Sequence, residues 1–290
     1  MIKLLAMDMD GTLLNKHREI SWENLKALRY ARSKGVTLAI ASGRAFFDIE
    51  SKMKEIDMET HLIGTNGATI HSADGKLLGA DFLNRGEALQ IINELVEQNY
   101  YIGAYSEHHI YVPEQGTEWL RAELKSLNIH EDRSVGFQGA TRDDFYRFVE
   151  DWSIFEKRST EFSKIIVFSY DDEKLQKARS VYEAKHRYNI VSSGTGNFEI
   201  MPPNVSKGNA LDHLANYLGI PISQVMAIGD NYNDLSMFEV AGVSVAMGNA
   251  DDEIKAVCDR VTTNCEDDGV AHAIYEELGY PDGAKGAVNP

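Results

Sequence analysis

Two carboxylates two positions apart, Asp8 and Asp10 in "LLAMDMDGTLLN", close an apolar run. Alone, such a pair reads equally well as a solvated turn or a helix cap, and three further polar groupings change its weight. Ser42-Gly43-Arg44 ends a second apolar run, and Asp230, Asn233 and Asp234 follow a late one. Lys207 sits just before the helical stretch that leads into that late run. Ligands of an open parallel sheet bind outside the carboxyl ends of its strands, so all four groupings are expected at one edge. A strand-end carboxylate such as Asp8 can attack phosphorus and split a hard hydrolysis into two steps through an aspartyl-phosphate. Asp10 faces the same way at i+2 in an extended chain; it can protonate a leaving oxygen and later take a proton from water. Gly11 and Thr12 let the chain turn and offer backbone N–H groups to phosphate oxygens. Clustered carboxylates repel one another and call for a hard divalent cation, Mg²⁺, with Asp8 and Asp230 as its side-chain ligands. Ser42 supplies a hydroxyl, Gly43 an N–H and Lys207 a point charge for the phosphoryl oxygens. Asn233 can donate there without repelling.

The elements needed to hold these groups are readable from periodicity. "IKLLAMDM" (2–9) and "VTLAIAS" (36–42) read as buried strands. A helix over 21–35 lies between them, with Ser21 as N-cap and Gly35 at its end, and a second helix follows over 45–56. Residues 61–78 give a short strand, a break around Asn66-Gly67 and a hairpin at Asp74-Gly75. The same alternation returns with a helix at 209–219, a strand at 224–230, a helix at 234–242, a strand at 243–249, and helices at 250–260 and 269–278. Strand-helix-strand units of this kind form right-handed crossovers and a parallel sheet covered on both faces. Between the two stretches, "YYIGAYSEHHIYV" and "FSKIIVFSY" resemble antiparallel strands with one wet face, separated by helices at 86–98, 115–127 and 171–187. The expectation is an α/β fold: a Rossmann-like parallel-sheet core from 1–83 and 194–290, with an inserted α+β cap domain over 84–193. The Gly- and Pro-rich tail "GYPDGAKGAVNP" is expected to fray.

The chain has 290 residues, 43% of them hydrophobic, enough for a sizeable core. A net charge of −16 argues against nucleic acid or an anionic membrane as partner. It also means that a phosphorylated substrate needs local positive charge. Cys258 and Cys265 match no zinc or redox spacing. With no signal-like start and no 18-residue apolar run, a cytoplasmic protein is expected, with no obligatory protein partner.

"DMDGTLL", "ASGR", "SKGNAL" and "IGDNYNDLSMF", in that order, resemble the haloacid dehalogenase-like phosphohydrolase superfamily, and its Cof-type sugar-phosphatase branch in particular. "GTNGATI" and "NFEIMPPNVSKG" are similar to that branch as well, and the match covers nearly the whole chain. The resemblance implies a cap between the second and third motifs. It implies Asp8 as nucleophile and Asp10 as general acid/base. Mg²⁺ would lie between Asp8, the Asp10 backbone carbonyl and Asp230, and Ser42, Gly43, Lys207 and Asn233 would meet the phosphoryl group. Asp234 would orient a metal-bound water or Lys207.

The implied activity is Mg²⁺-dependent hydrolysis of a small phosphorylated metabolite, with sugar phosphates favoured and flavin mononucleotide or pyridoxal phosphate within reach. A sugar phosphomutase would use the same aspartyl-phosphate. A phospho-acceptor signalling receiver would need neither the cap nor Asp10. Arg44 reads as a structural ion pair. His108 and His109, as strand neighbours, would point to opposite faces, and Tyr100, Tyr101, Tyr105 and Tyr111 read as packing residues.

Overall fold

The computed structural model describes residues 1–129 and 145–281, and the chain divides into two compact units. The first comprises Met1–Gly79 with the chain from Ser206 onward, and the second Ala80–Val205. The end of the Gly- and Pro-rich tail lies outside the described residues. Among those residues, no helix is long and apolar enough to cross a membrane.

The strands in chain order are β1 (Leu4–Met7), β2 (Thr37–Ala41), β3 (His61–Gly64), β4 (Thr69–His71), β5 (Leu77–Ala80), β6 (Tyr101–Tyr105) and β7 (Ile110–Pro113). They continue with β8 (Tyr146–Val149), β9 (Lys164–Phe168), β10 (Asn189–Val191), β11 (Asn197–Met201), β12 (Val225–Gly229), β13 (Val243–Ala246) and β14 (Arg260–Val261). The helices are α1 (Trp22–Ser33), α2 (Phe46–Glu55), α3 (Arg85–Glu97), α4 (Gly116–Ser126), α5 (Asp172–Glu183), α6 (Lys207–Tyr217), α7 (Leu235–Val240), α8 (Asp252–Lys255) and α9 (Gly269–Leu278).

In the first unit the sheet runs β14-β13-β12-β1-β2-β3-β4-β5. From β14 to β3 every neighbouring pair is parallel, and β4 turns back antiparallel on β3. β1 is buried on both faces, which is why its sequence is a continuous apolar run rather than an alternation. Leu5 and Met7 pack with Ala27, Leu28 and Ala31 of α1 and Val270 and Ile274 of α9. Leu4 and Ala6 face the other way, toward Leu211 and Leu214 of α6 and Met237 of α7. The sheet order puts β12, β1 and β2 side by side and parallel, so the polar residues that follow each of them emerge at one edge.

The second unit holds a six-stranded sheet, β10-β11-β9-β6-β7-β8, antiparallel except between β7 and β8. One face packs Ile102, Ile165, Val167 and Phe198 against Ile91, Ile92 and Leu95 of α3 and Leu175 of α5. Three features differ from the sequence expectations. First, residues 80–83 and 194–205 fall in this unit, and β11 pairs with β9 and β10 instead of leading into the parallel sheet. Second, the polar residues of the central strands are not wet: Lys164 and Glu199 are buried as an ion pair at 3.1 Å, with the Lys164 ammonium 4.4 Å from the centroid of the Tyr105 ring. A paired and hydrogen-bonded charge can be buried where a lone one cannot. Third, His108 and His109 lie in the turn between β6 and β7, not in a strand, since Ser106 closes that turn through the His109 carbonyl.

Candidate active site

At the end of β1 the Asp8 amide still donates to the Ile228 carbonyl at 2.9 Å, so the residue is held by the ladder before the chain turns away. The turn needs Gly11: its φ is +81°, and a Cβ there would collide with the Asp230 carboxylate. Thr12, fully buried, donates its hydroxyl to Asp230 Oδ1 at 2.8 Å and so ties the β1 turn to the end of β12.

Lys207 is the first residue of α6. Ser206 caps the helix by accepting from the Asn209 amide, which starts it two residues before the expected position. The Lys207 side chain is fully buried, and its ammonium donates to Asp8 Oδ1 and to Asp234 Oδ1, both at 2.6 Å. Asp234 spends its other oxygen on the Asp230 and Asn231 amides, each at 3.0 Å, closing a capping box on the turn after β12. Both Asp234 oxygens are therefore taken, and its part is to anchor Lys207 and shape the turn.

Ligand oxygens of Asp8, Asp230 and Asp234 lie within 4.8 Å of one another. Three carboxylates against one ammonium leave a deficit of two positive charges. Burial, opposed by Lys207 and reinforced by Asp234 and Asp230, pushes the Asp8 carboxyl up to about 8. Burial, opposed by the Thr12 hydrogen bond and reinforced by Asp234, pushes Asp230 up to about 6. For Lys207, burial disfavours the charge, but Asp234 and Asp8 outweigh it and hold the ammonium above its ordinary range. Burial raises the two carboxyls because one ammonium cannot make up for the lost solvation of the cluster, while the neighbouring carboxylates keep that ammonium charged. A hard divalent cation fits this donor set, with Asp8 and Asp230 as the carboxylates still able to bind it.

A second strand of contacts runs through Ser42, Gly43, Asn66 and Asn233. The Ser42 amide continues the sheet onto the Ile63 carbonyl at 2.8 Å, and its hydroxyl accepts from the Arg44 amide at 3.2 Å. Thr65 and Asn66 both adopt left-handed φ, +53° and +57°, and are buried. That conformation costs roughly 1 kcal/mol or more per non-glycine residue. It is held by hydrogen bonds from the Thr65 amide to the Arg44 carbonyl at 2.7 Å and from the Asn66 amide to the Ser42 carbonyl at 2.9 Å. The strained turn points the Asn66 carboxamide at Gly43, where a Cβ would sit 3.1 Å from Asn66 Oδ1. That oxygen accepts from Asn233 Nδ2 at 3.0 Å. Gly67 presses against the Ser206 carbonyl so closely that a Cβ would collide with it. The turn thus links the ends of β2, β12 and α6.

Asp10 stands apart from the buried triad. Its side chain is 53% exposed, and both its oxygens accept from Arg44, Nε and NH2 each at 2.6 Å. The pairing expected for Arg44 is present, and its partner is the proposed acid/base. Asn66 and Asn249 escaped the sequence reading. Asn249, just after β13, donates to the Gly11 carbonyl at 2.8 Å and lies 3.5 Å from Asp230 Oδ2. A polar residue after β13 is another strand-end signal, and Asn66 lay inside the quoted "GTNGATI".

Residues 5–274 match the family model of haloacid dehalogenase-like hydrolases. The chain belongs to the haloacid dehalogenase-like hydrolase family. This hydrolase is 38% identical over 285 residues to Phosphatase YwpJ of Bacillus subtilis, covering 96% of this chain and all of the relative. It is 36% identical over 289 residues to the 5-amino-6-(5-phospho-D-ribitylamino)uracil phosphatase YwtE of the same organism, covering 96% of this chain and 98% of that one. Its fold superimposes on a haloacid dehalogenase-like hydrolase structure from B. subtilis with a TM-score of 0.82 and 34% identity, covering 94% of this chain and 99% of that chain. The resemblance to the Cof-type branch holds, and the hydrolase is an enzyme of the phosphatase class.

Proposed function

We propose that this hydrolase removes the phosphoryl group from small phosphorylated metabolites, sugar phosphates among them, through an aspartyl-phosphate on Asp8, with Mg²⁺ as cofactor. The observation that carries this reading is the Asp8 carboxylate at the end of β1, with one oxygen held at 2.6 Å by a buried Lys207. That bond orients the nucleophile and places a fixed positive charge beside the reacting phosphoryl group. Asp8 forms a bond to phosphorus as the bond to the leaving oxygen breaks, and that oxygen takes its proton from Asp10. In the second half, water attacks phosphorus and passes a proton to Asp10, and the bond to Asp8 breaks to release inorganic phosphate. Ser42, Gly43, Asn233 and Lys207 hold the non-bridging oxygens in both halves, and Asp234 keeps Lys207 in place. Asp8, Asp230 and the Asp10 carbonyl are the groups that would hold Mg²⁺, which when bound offsets the charge between nucleophile and phosphate. The relative YwtE, whose named substrate carries a phosphoribityl group, supports a polyhydroxylated leaving group. The acidic surface fits a free metabolite in the cytoplasm better than nucleic acid or membrane.

The test is phosphate release from sugar phosphates, nucleotides, flavin mononucleotide and pyridoxal phosphate, with Mg²⁺ and with EDTA, for the natural chain and Asp8→Asn. Metal-dependent release abolished by Asp8→Asn is expected. Wild-type turnover in Asp8→Asn would overturn the mechanism, and phosphate moving between sugar positions without release would make the enzyme a mutase.

A further inference from the structure

The Arg44 guanidinium is ordered from every side. Its Nε and NH2 form a two-bond fork to the Asp10 carboxylate, each at 2.6 Å, and its NH1 lies 3.3 Å from both oxygens of Asp48, one turn into α2. Its backbone is pinned as well, the amide to Ser42 Oγ and the carbonyl to the Thr65 amide. The Arg44 side chain is 20% exposed and the Asp10 side chain 53%. The forked pair contributes to stability, and it also holds the half-exposed Asp10 carboxylate in one orientation. Among the described residues, the hydrogen bonds to the Asp10 carboxylate come from Arg44, whereas Asp8 is oriented by Lys207.

We propose that Arg44 is the positioning residue for Asp10, fixing from the turn just before α2 the orientation of the carboxylate that moves protons. This rests on the reading of Asp10 as general acid/base. A forked guanidinium fixes both distance and plane, which a lysine point charge cannot do. Without it the exposed carboxylate samples its other rotamers, and proton transfer is slowed by the usual penalty for a misplaced group, on the order of 10²-fold.

The leaving group separates this role from phosphate binding. With p-nitrophenyl phosphate, transfer to Asp8 expels a stable phenolate and needs no proton from Asp10. Hydrolysis of the phospho-enzyme still requires Asp10 to take a proton from water. In the Mg²⁺-loaded enzyme, Arg44→Met is therefore expected to keep a stoichiometric burst of nitrophenolate while the steady-state rate falls by on the order of 10²-fold, with acid-stable phosphate labelling accumulating on the protein. Arg44→Lys, which keeps the charge and loses the fork, should show the same pattern to a smaller degree; wild-type steady-state turnover in it would overturn the proposal. In an Asp10→Asn background, Arg44→Met should change nothing further, because Arg44 acts through Asp10. A burst and steady state slowed together, a raised KM at unchanged kcat, or full additivity with Asp10→Asn would each overturn the proposal. Asp10→Asn alone turning over as the natural enzyme does would instead overturn the reading of Asp10 on which the proposal rests.

Discussion

Replacing Lys207 with methionine, which keeps the stem and removes the ammonium, tests whether one buried cation holds the site together. Its charge sits 2.6 Å from Asp8 and 2.6 Å from Asp234, with no exposed side-chain surface. Removing one partner from a buried ion pair leaves the other as an uncompensated charge and costs about 3–5 kcal/mol. In a unit of this size each kcal/mol lowers Tm by about 2–4 °C, so the transition of the first unit should fall by about 6–20 °C. The cost depends on pH with a definite sign. Burial and the neighbouring acids raise the folded Asp8 carboxyl to about 8, above the roughly 3.9 of an unfolded aspartate. Between those values the folded state binds a proton that the unfolded chain has released, so stability without metal falls as pH rises through that window. Lys207 counters the rise, and its loss raises Asp8 further. The difference between the two proteins should therefore change little between pH 5 and pH 8, where Asp8 is protonated in both folded states, and widen above pH 8, where only the natural chain's Asp8 has titrated. Differential scanning calorimetry in EDTA at pH 5, at pH 8 and above it measures this, with Lys207→Met/Asp234→Asn expected to recover part of the loss. A Lys207→Met protein melting within about 2 °C of the natural chain at pH 8 would refute the account.

Mg²⁺ should raise Tm with the logarithm of its concentration once that exceeds its Kd, and more at pH 8 than at pH 5, because protonated Asp8 and Asp230 compete with the ion. A Tm at pH 8 that ignores Mg²⁺ would remove the acidic cluster as a cation site. Gly67→Ala drives a methyl into the Ser206 carbonyl, whereas Gly35→Ala, at a similarly left-handed φ, meets nothing within 4 Å. Gly35→Ala should cost about 1 kcal/mol, and Gly67→Ala more. Only Gly67→Ala should lower kcat, by displacing the start of α6, and equal kcat in the two variants would break the proposed link between the Thr65–Gly67 turn and Lys207.

The parallel core was legible because its strands are buried on both faces: "LLAM" and "TLAIA" can be little else when helical periods separate them. The carboxylates were legible because they follow those runs, and loops at strand ends carry the polar groups. The edges of the second unit were harder. "NFEIM" alternates like any strand, and only its pairing with β9 and β10 shows which sheet it enters. Lys164 reads as a wet-face residue because a sequence lists charges singly, and its burial depends on Glu199, 35 positions away.

By itself, then, the sequence determined the kinds of group available and the strand ends from which they emerge, because hydrophobic period and side-chain chemistry are local properties. Tertiary structure alone decided the pairings. It set Lys207 between Asp8, 199 positions away, and Asp234, 27 positions away. It turned Arg44 onto Asp10, 34 positions away, and bent Thr65 and Asn66 into a strained turn whose carboxamide meets Asn233. Those choices depend on which strands lie side by side and on how closely a helix end can approach them. Such distances follow from packing the whole sheet, and no stretch of sequence carries them alone.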